Sequence, residues 1–461
     1  MNIQLAKIYE ALEKAKKLDK VLIQEIITKG KEKKGLTLQE SAYLLNLQDP
    51  ALLQHLYDTA AKVKEEIYGK RIVLFAPLYT SNYCINNCLY CGFRQANESL
   101  PRRRLSLPEV QQEAKFLAQE GHRRLLLVTG EALPDAEAEG IASIVESVYK
   151  AVDIRRININ CAPLSVEGFR ILKEAQIGTY QLFQETYHPR QYEYLHPSGP
   201  KKDYSYRLTA MNRAIEAGLD DVGLGVLFGL YDYSFEVLAL LEHARLLDEQ
   251  YKVGPHTISV PRIKKAPGMA LTAIPAPVDD ETFKKIIAIL RLAVPYTGII
   301  LSTRESATLR TDLLHLGVSQ LSAGSSTQPG GYAPLSKESL ETTSAPLEGQ
   351  FCLEDHRPLQ EVLCSIMEEG FIPSFCTACY RNERTGEAFM ELAKSGIIHK
   401  LCSPNALLTL EEYLIDYGNE KSRKLGQQLI KQEIEKLPAS QATTLKKNLS
   451  ELQSGKRDLF I

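Results

Sequence analysis

Ile72-Val73-Leu74-Phe75, where a helical N-terminal stretch gives way to β-branched residues, opens the pattern that decides the fold. Seven more short runs follow: Leu125–Val128, Ile157–Asn160, Thr179–Phe183, Val222–Leu227, His256–Val260, Ile299–Ser302 and Val318–Leu321. Between most of them lie amphipathic helical stretches, among them Leu107–Gln119, Val166–Ala175 and Phe283–Ala293. Strands that alternate with helices predict parallel βαβ units. Eight units in roughly 260 residues predict an α/β fold of the closed (β/α)8 TIM-barrel type. An open doubly wound sheet is the alternative, and the count of eight favours closure.

Outward from the barrel, residues 1–70 are rich in Ala, Leu, Glu and Lys at helical spacing and predict an N-terminal helical extension. The barrel is expected over 71–350, closing with a polar loop near 325–350. Residues 351–461 predict a mainly helical C-terminal domain that carries a second cysteine group. The chain has 461 residues, 44% hydrophobic and 24% charged, with a formal charge of −2, so nothing points to a nucleic-acid or membrane surface. No charged-then-apolar leader and no run near the roughly 18 apolar residues of a membrane span is present, so a cytoplasmic protein is expected. In that reducing compartment, clustered cysteines read as metal binding or redox chemistry.

Cys84-Ile85-Asn86-Asn87-Cys88-Leu89-Tyr90-Cys91 follows the end of the first barrel strand. Three thiolates so spaced on a curling loop can hold three irons of a cubane and leave the fourth open. A structural zinc site would want a fourth ligand, and none lies nearby. Cys376-Thr377-Ala378-Cys379, with Cys402 beyond an intervening helix near 386–397, forms the second group. Its alternatives are a zinc knuckle or an oxidation-sensitive pair.

The first motif, with Tyr90 before its last cysteine, resembles the signature of the radical-SAM superfamily. Thr129-Gly130-Glu131 at the end of the second strand resembles the motif that binds the amino group of S-adenosylmethionine (SAM), with Thr in place of the usual first Gly. Gly223 and Gly225 on the fifth strand resemble a segment that supports adenine; a close-packed strand is the alternative. The two cysteine groups together resemble the radical-SAM tyrosine lyases of FeFe-hydrogenase maturation. Phe183-Gln184-Glu185-Thr186-Tyr187 and Leu301-Ser302-Thr303-Arg304-Glu305 are among the local matches. The tyrosine lyase of thiamine synthesis, 2-iminoacetate synthase, shares the barrel motifs but lacks the terminal cysteines.

That resemblance implies two 4Fe-4S-type clusters, one binding SAM and one auxiliary cluster carrying an extra iron. It implies cleavage of tyrosine to p-cresol and dehydroglycine, then formation of carbon monoxide and cyanide. An electron donor such as ferredoxin or flavodoxin and other hydrogenase maturation proteins are the implied partners. Ser302 and Arg304, two apart on strand seven, are expected on one side near the SAM end, where a guanidinium fork suits the tyrosine carboxylate. An ion pair of Arg304 with Glu305 or Glu185 is the alternative. Glu185 and Arg207 are candidates for contacts to SAM or substrate. His256 opens strand six at the other mouth, and the resemblance makes it the ligand of the extra iron. The two sites would then face each other through the barrel, and a hollow, continuous lumen is expected. An iron–sulfur carrier without catalysis is a third reading, which the SAM-binding residues disfavour.

Overall fold

The computed structural model describes residues 3–17, 19–133, 136–333 and 349–461. Four helices come first, Leu5–Lys14, Lys20–Gly30, Leu38–Leu45 and Pro50–Tyr68. Their starts are written locally. Asp19 and Asp49 accept hydrogen bonds from the free N–H groups of the first turn, and Thr37 forms a capping box with Glu40.

Eight parallel strands then alternate with helices. They are β1 (Arg71–Ser81), β2 (Arg124–Thr129), β3 (Arg156–Asn160), β4 (Tyr180–Glu185), β5 (Val222–Val226), β6 (Thr257–Ser259), β7 (Gly298–Leu301) and β8 (Gln320–Ser322). Each pairs with the next, and β1 pairs with both β2 and β8, so the sheet closes on itself. The expected (β/α)8 barrel is present, and the open sheet is excluded. All 11 residues of β1 are buried, because it is sheathed by neighbours along its whole length. Ala76–Ser81 pair with β2, and Val73–Phe75 pair with β8.

The C-terminal part is mainly helical as expected, with helices Leu359–Glu368, Gly386–Lys394, His399–Tyr417, Glu420–Glu435 and Ala439–Gln453. It also contributes a ninth strand that the sequence does not announce, β9 (Ile372–Ser374), paired with Arg71–Val73 of β1. Three residues with a central proline carry almost no strand signal. This short strand delivers the second cysteine group to the N-terminal mouth of the barrel.

At the opposite mouth, single-residue register shifts fall between Tyr79 and Ser81 and between Phe183 and Glu185. Such bulges re-aim side chains at a strand's end. Glu185 takes a φ of +70°, uncommon for a residue with a Cβ.

Of the polar loop expected at 325–350, residues 334–348 lie outside the described residues. The chain returns at Gly349 and crosses this mouth, with Gln350 N–H donating to Thr327 O at 3.0 Å. Farther along, Glu354 and Asp355 N–H donate to Thr303 O at 3.0 and 3.2 Å. Asp355 pairs with buried Arg310, which also donates to Ser322 O on β8, and with Arg357. The strap is thus tied to the barrel by a buried ion pair. Removing one partner of such a pair leaves the other charge uncompensated. Asp355→Ala should destabilise the fold by about 3–5 kcal/mol, read as a lower midpoint in urea denaturation of the metal-free protein; an unchanged midpoint would contradict the anchoring role.

Candidate metal centres at the two mouths of the barrel

Beyond the end of β1, Cys84, Cys88 and Cys91 all face one solvent-open recess of about 850 Å³, within the size range of small-molecule sites. The cysteine loop passes directly over Gly130. A Cβ there would overlap the carbonyl of Tyr83, so only glycine lets β2 end beneath the loop. Ile85 N–H donates to Glu131 O at 3.2 Å and Gly130 N–H to Ser81 O at 2.9 Å, which lock loop and strand end together. Amide N–H groups reach two sulfurs, Asn86 Nδ2 at 3.7 Å from Cys84 Sγ and Gln350 Nε2 at 3.9 Å from Cys91 Sγ. Donors of this kind tune thiolate-bound clusters.

Burial pushes all three thiols up, Cys91 to about 11. They therefore favour the neutral form until a metal takes the proton's place, and metal binding must release protons. Among the described residues, no three His, Cys, Asp or Glu side chains are grouped to hold a single metal ion.

Glu131 faces the same recess. Its carboxylate accepts from Asn86 Nδ2 at 2.6 Å and lies 3.5 Å from Arg207 NH1. Arg207 NH2 reaches Glu185 at 3.4 Å, and Lys201 Nζ reaches the same Glu185 oxygen at 2.7 Å. Burial alone would raise the Glu185 carboxyl, but Lys201 and Arg207 outweigh it and hold it below its ordinary value. Tyr90 packs beneath, its hydroxyl 2.8 Å from Nε2 of His196. Burial depresses His196 to about 3, so it stays neutral. Lys201, Asn86 and Gln350 were not legible in the sequence, and Asn86, inside the cysteine loop, was the one with a positional signal.

Gly223 and Gly225 depart from expectation, since neither lines this recess. A Cβ on Gly225 would overlap the ring of Phe183, and one on Gly223 would overlap Thr257 and crowd Gln181. They make room for those side chains, and it is Phe183 that lines the recess.

Deeper in the barrel lies a second cavity of about 680 Å³ whose lining includes Ser302 and Arg304. It shares Val128, Asn160, Phe183, Arg304, Gln350 and Phe351 with the first, so the two form one space. Strand β7 ends at Leu301, so Ser302 and Arg304 stand just beyond it rather than on it. Arg304 N–H still reaches Ser302 Oγ at 3.4 Å and keeps the pair adjacent. Arg304 has no carboxylate partner among the described residues. Glu305 pairs with Arg262 and Lys264, and Glu185 with Lys201 and Arg207. Instead the guanidinium lies 3.3 Å from the centre of the Phe351 ring. A fixed, flat cation facing a cavity suits an incoming carboxylate.

At the N-terminal mouth, Cys376, Cys379, Cys402 and His256 face a third cavity, about 470 Å³, with Arg71 and Arg124. Cys376 comes two residues after β9, and Arg124 NH1 donates to its carbonyl at 2.8 Å. Burial raises Cys376 and lifts Cys379 to about 12. His256 Nδ1 lies 3.3 Å from Asp221 without forming a hydrogen bond to it, so the carboxylate stands on the Nδ1 side of the ring. Asp221 was missed in the sequence, although it stands immediately before β5.

The third cavity shares no lining residue with the second. Strand β1, 11 residues long, spans about 33 Å along itself, or about 27 Å along the barrel axis at the usual tilt.

The Radical SAM superfamily matches residues 78–244, and the Biotin and Thiamin Synthesis associated domain matches residues 259–372. The crystal structure of HydG, a maturase of the [FeFe]-hydrogenase, superposes with a TM-score of 0.93 at 48% identity, covering 100% of this chain and 99% of that one. The chain belongs to the HydG family of radical-SAM enzymes. HydG from Carboxydothermus hydrogenoformans agrees, with a TM-score of 0.85 and 44% identity over 96% of this chain and 97% of that one. The 2-iminoacetate synthase of Salmonella typhimurium is 31% identical over 334 residues, 72% of this chain and 85% of that one. The HydG match thus runs through the terminal cysteines, whereas the 2-iminoacetate synthase match is shorter than the chain.

Gly130→Ala should lose the iron of the first cluster while the iron at Cys376, Cys379 and Cys402 stays. Iron and sulfide analysis of the reconstituted variant reads this; full iron content would show that the loop tolerates a Cβ.

Proposed function

We propose that the protein cleaves tyrosine between Cα and Cβ at the upper mouth and converts the smaller fragment to carbon monoxide and cyanide at the lower one. The products are p-cresol and the iron–carbonyl–cyanide precursor of the FeFe-hydrogenase H-cluster. One observation carries this reading: two cysteine triads face opposite mouths of one barrel in a chain that matches HydG over its full length.

Cys84, Cys88 and Cys91 would hold a 4Fe-4S cluster, which when bound supplies the electron that splits SAM into methionine and a 5′-deoxyadenosyl radical. Glu131 suits the SAM ammonium, and Arg207, Glu185 and Lys201 hold that carboxylate in place. Arg304 suits the tyrosine carboxylate, with Ser302 beside it and Phe351 fixing the plane of the guanidinium. At the lower mouth, Cys376, Cys379 and Cys402 would hold the auxiliary cluster. His256, beside Asp221, would ligate an extra iron.

A one-electron donor such as ferredoxin or flavodoxin would reduce the first cluster, and other hydrogenase maturation proteins would take the product. Nine cysteines, all unpaired, suit the reducing cytoplasm. No helix among the described residues is long and apolar enough to cross a membrane.

Replacing Cys376, Cys379 and Cys402 together by serine should preserve p-cresol formation and abolish the iron–carbonyl infrared bands. Loss of p-cresol with the first cluster intact would overturn this division of labour. Absence of the bands from the unmutated protein while p-cresol still forms would point instead to a lyase of the 2-iminoacetate synthase kind with a merely structural second site. Arg304→Lys should lower kcat/KM for tyrosine about 10- to 100-fold, as expected for a lost charged fork. The rate of p-cresol release against tyrosine concentration checks it.

A further inference from the structure

Behind the end of β4 a carboxylate is buried in the outer wall of the barrel. Glu236 stands in the first turn of the helix Tyr233–Tyr251 and is 1% exposed. It lines none of the three cavities. Among the described residues no cation lies against it, and burial lifts its carboxyl to about 8. A buried carboxyl without a cation costs stability, so the group calls for a reason beyond packing.

Both of its oxygens are engaged by adjacent residues of one short segment. The Thr186 hydroxyl donates to one, and Tyr187 N–H donates to the other at 2.8 Å. His188 N–H in turn donates to Thr186 Oγ1 at 3.2 Å. Two turns along the Glu236 helix, His243 Nδ1 lies 2.8 Å from the Tyr187 hydroxyl. Tyr204, on the helix Tyr204–Leu208, donates to the Tyr187 carbonyl at 2.9 Å. Two helices therefore pin the chain as it leaves Glu185.

Glu185 is the least relaxed point of the upper mouth. It holds a φ of +70° at the register shift that follows Phe183. In a residue with a Cβ, such a backbone persists only where its surroundings over-determine it. The Glu185 carbonyl accepts from Leu227 N–H at 3.0 Å on one side, and the Glu236 clamp acts on the other. So held, the Glu185 carboxylate meets Lys201 and Arg207, and Arg207 also reaches Glu131. Without the clamp the chain is free to relax to negative φ, which swings that carboxylate away from both cations.

We propose that Glu236 is a positioning residue for the SAM site, acting through Thr186 and Tyr187 to hold Glu185 against Lys201 and Arg207. The proposal rests on the reading in which Glu131 takes the SAM ammonium. Glu236 touches neither the cysteine triad nor the recess. Its effect is on how tightly SAM is held, not on the electron that splits it.

The test titrates SAM into the reduced, reconstituted protein and follows the paramagnetic spectrum of the first cluster. It also measures p-cresol formation against SAM and against tyrosine. Glu236→Leu removes both acceptors. Glu236→Gln keeps both hydrogen bonds, its carboxamide accepting from Tyr187 N–H and donating to Thr186 Oγ1. Thr186→Val removes one bond only. In Glu236→Leu the SAM concentration at half-change should rise about tenfold, the scale of a lost hydrogen bond to a charged group, and KM for SAM should rise in step. The kcat at saturating SAM, KM for tyrosine and the iron content of the first triad should stay close to the unmutated values. Thr186→Val should show a smaller rise, and Glu236→Gln should match the unmutated protein. A lower urea midpoint with unchanged half-saturation would mark the residue as merely structural and overturn the proposal. So would a rise in Glu236→Gln as large as in Glu236→Leu. Should Glu236→Leu fail to fold, Thr186→Val decides alone, and unchanged half-saturation there would be equally contrary. A spectrum of the unmutated protein that ignores SAM is a different failure, that of the SAM-binding reading itself.

Discussion

Strand β1 is the element on which both sites depend. It hydrogen-bonds to β2 near its C-terminal end, to β8 in its lower half and to β9 at its start. A parallel strand buried on both faces cannot slip in register without exposing backbone groups or misplacing side chains. Pairing with β2 sets Gly130 under the cysteine loop. Pairing with β9 sets Cys376 two residues beyond a fixed backbone position. One strand thereby holds two chemically separate centres at a set separation, and no hinge intervenes between them.

Electrostatics differ at the two ends. Around the first triad, buried cations are matched by carboxylates: Lys201 and Arg207 share Glu185, and Arg207 also reaches Glu131. The network is close to neutral before a cofactor arrives and can orient a zwitterion such as the amino-acid end of SAM. Around the second triad, Arg71 and Arg124 face the cavity, while the nearby Asp221 is turned toward His256. Burial raises Asp221, but His256 outweighs it and holds that carboxyl below its ordinary value. The lower end is thus arranged for negative charge, whether thiolate or bound anion.

Much of this was legible in the sequence, for identifiable reasons. Cysteine spacing is local, so both triads could be read directly, as could the strand–helix alternation that closes the barrel. Gly130 and Glu131 follow a strand end and were placed correctly beside the first triad. What escaped depends on contacts across long separations or on weak local signals. Gln350 and Phe351 reach back across the mouth to Cys91 and Arg304, and nothing in their own neighbourhood announces it. Pro373 conceals β9. Gly223 and Gly225 were read as cofactor supports because a glycine-bearing strand has two physical explanations. Close packing under Gln181, Thr257 and Phe183 is the one the coordinates give.

The account stands on a cubane held by Cys84, Cys88 and Cys91 with one iron left for an outside ligand. Electron paramagnetic resonance of the reduced, reconstituted protein, with and without SAM, tests it most directly. A reduced-cluster signal whose g-values shift on adding SAM, and which disappears in Cys88→Ser, is the predicted result. A signal indifferent to SAM, or one that survives that substitution, would contradict it.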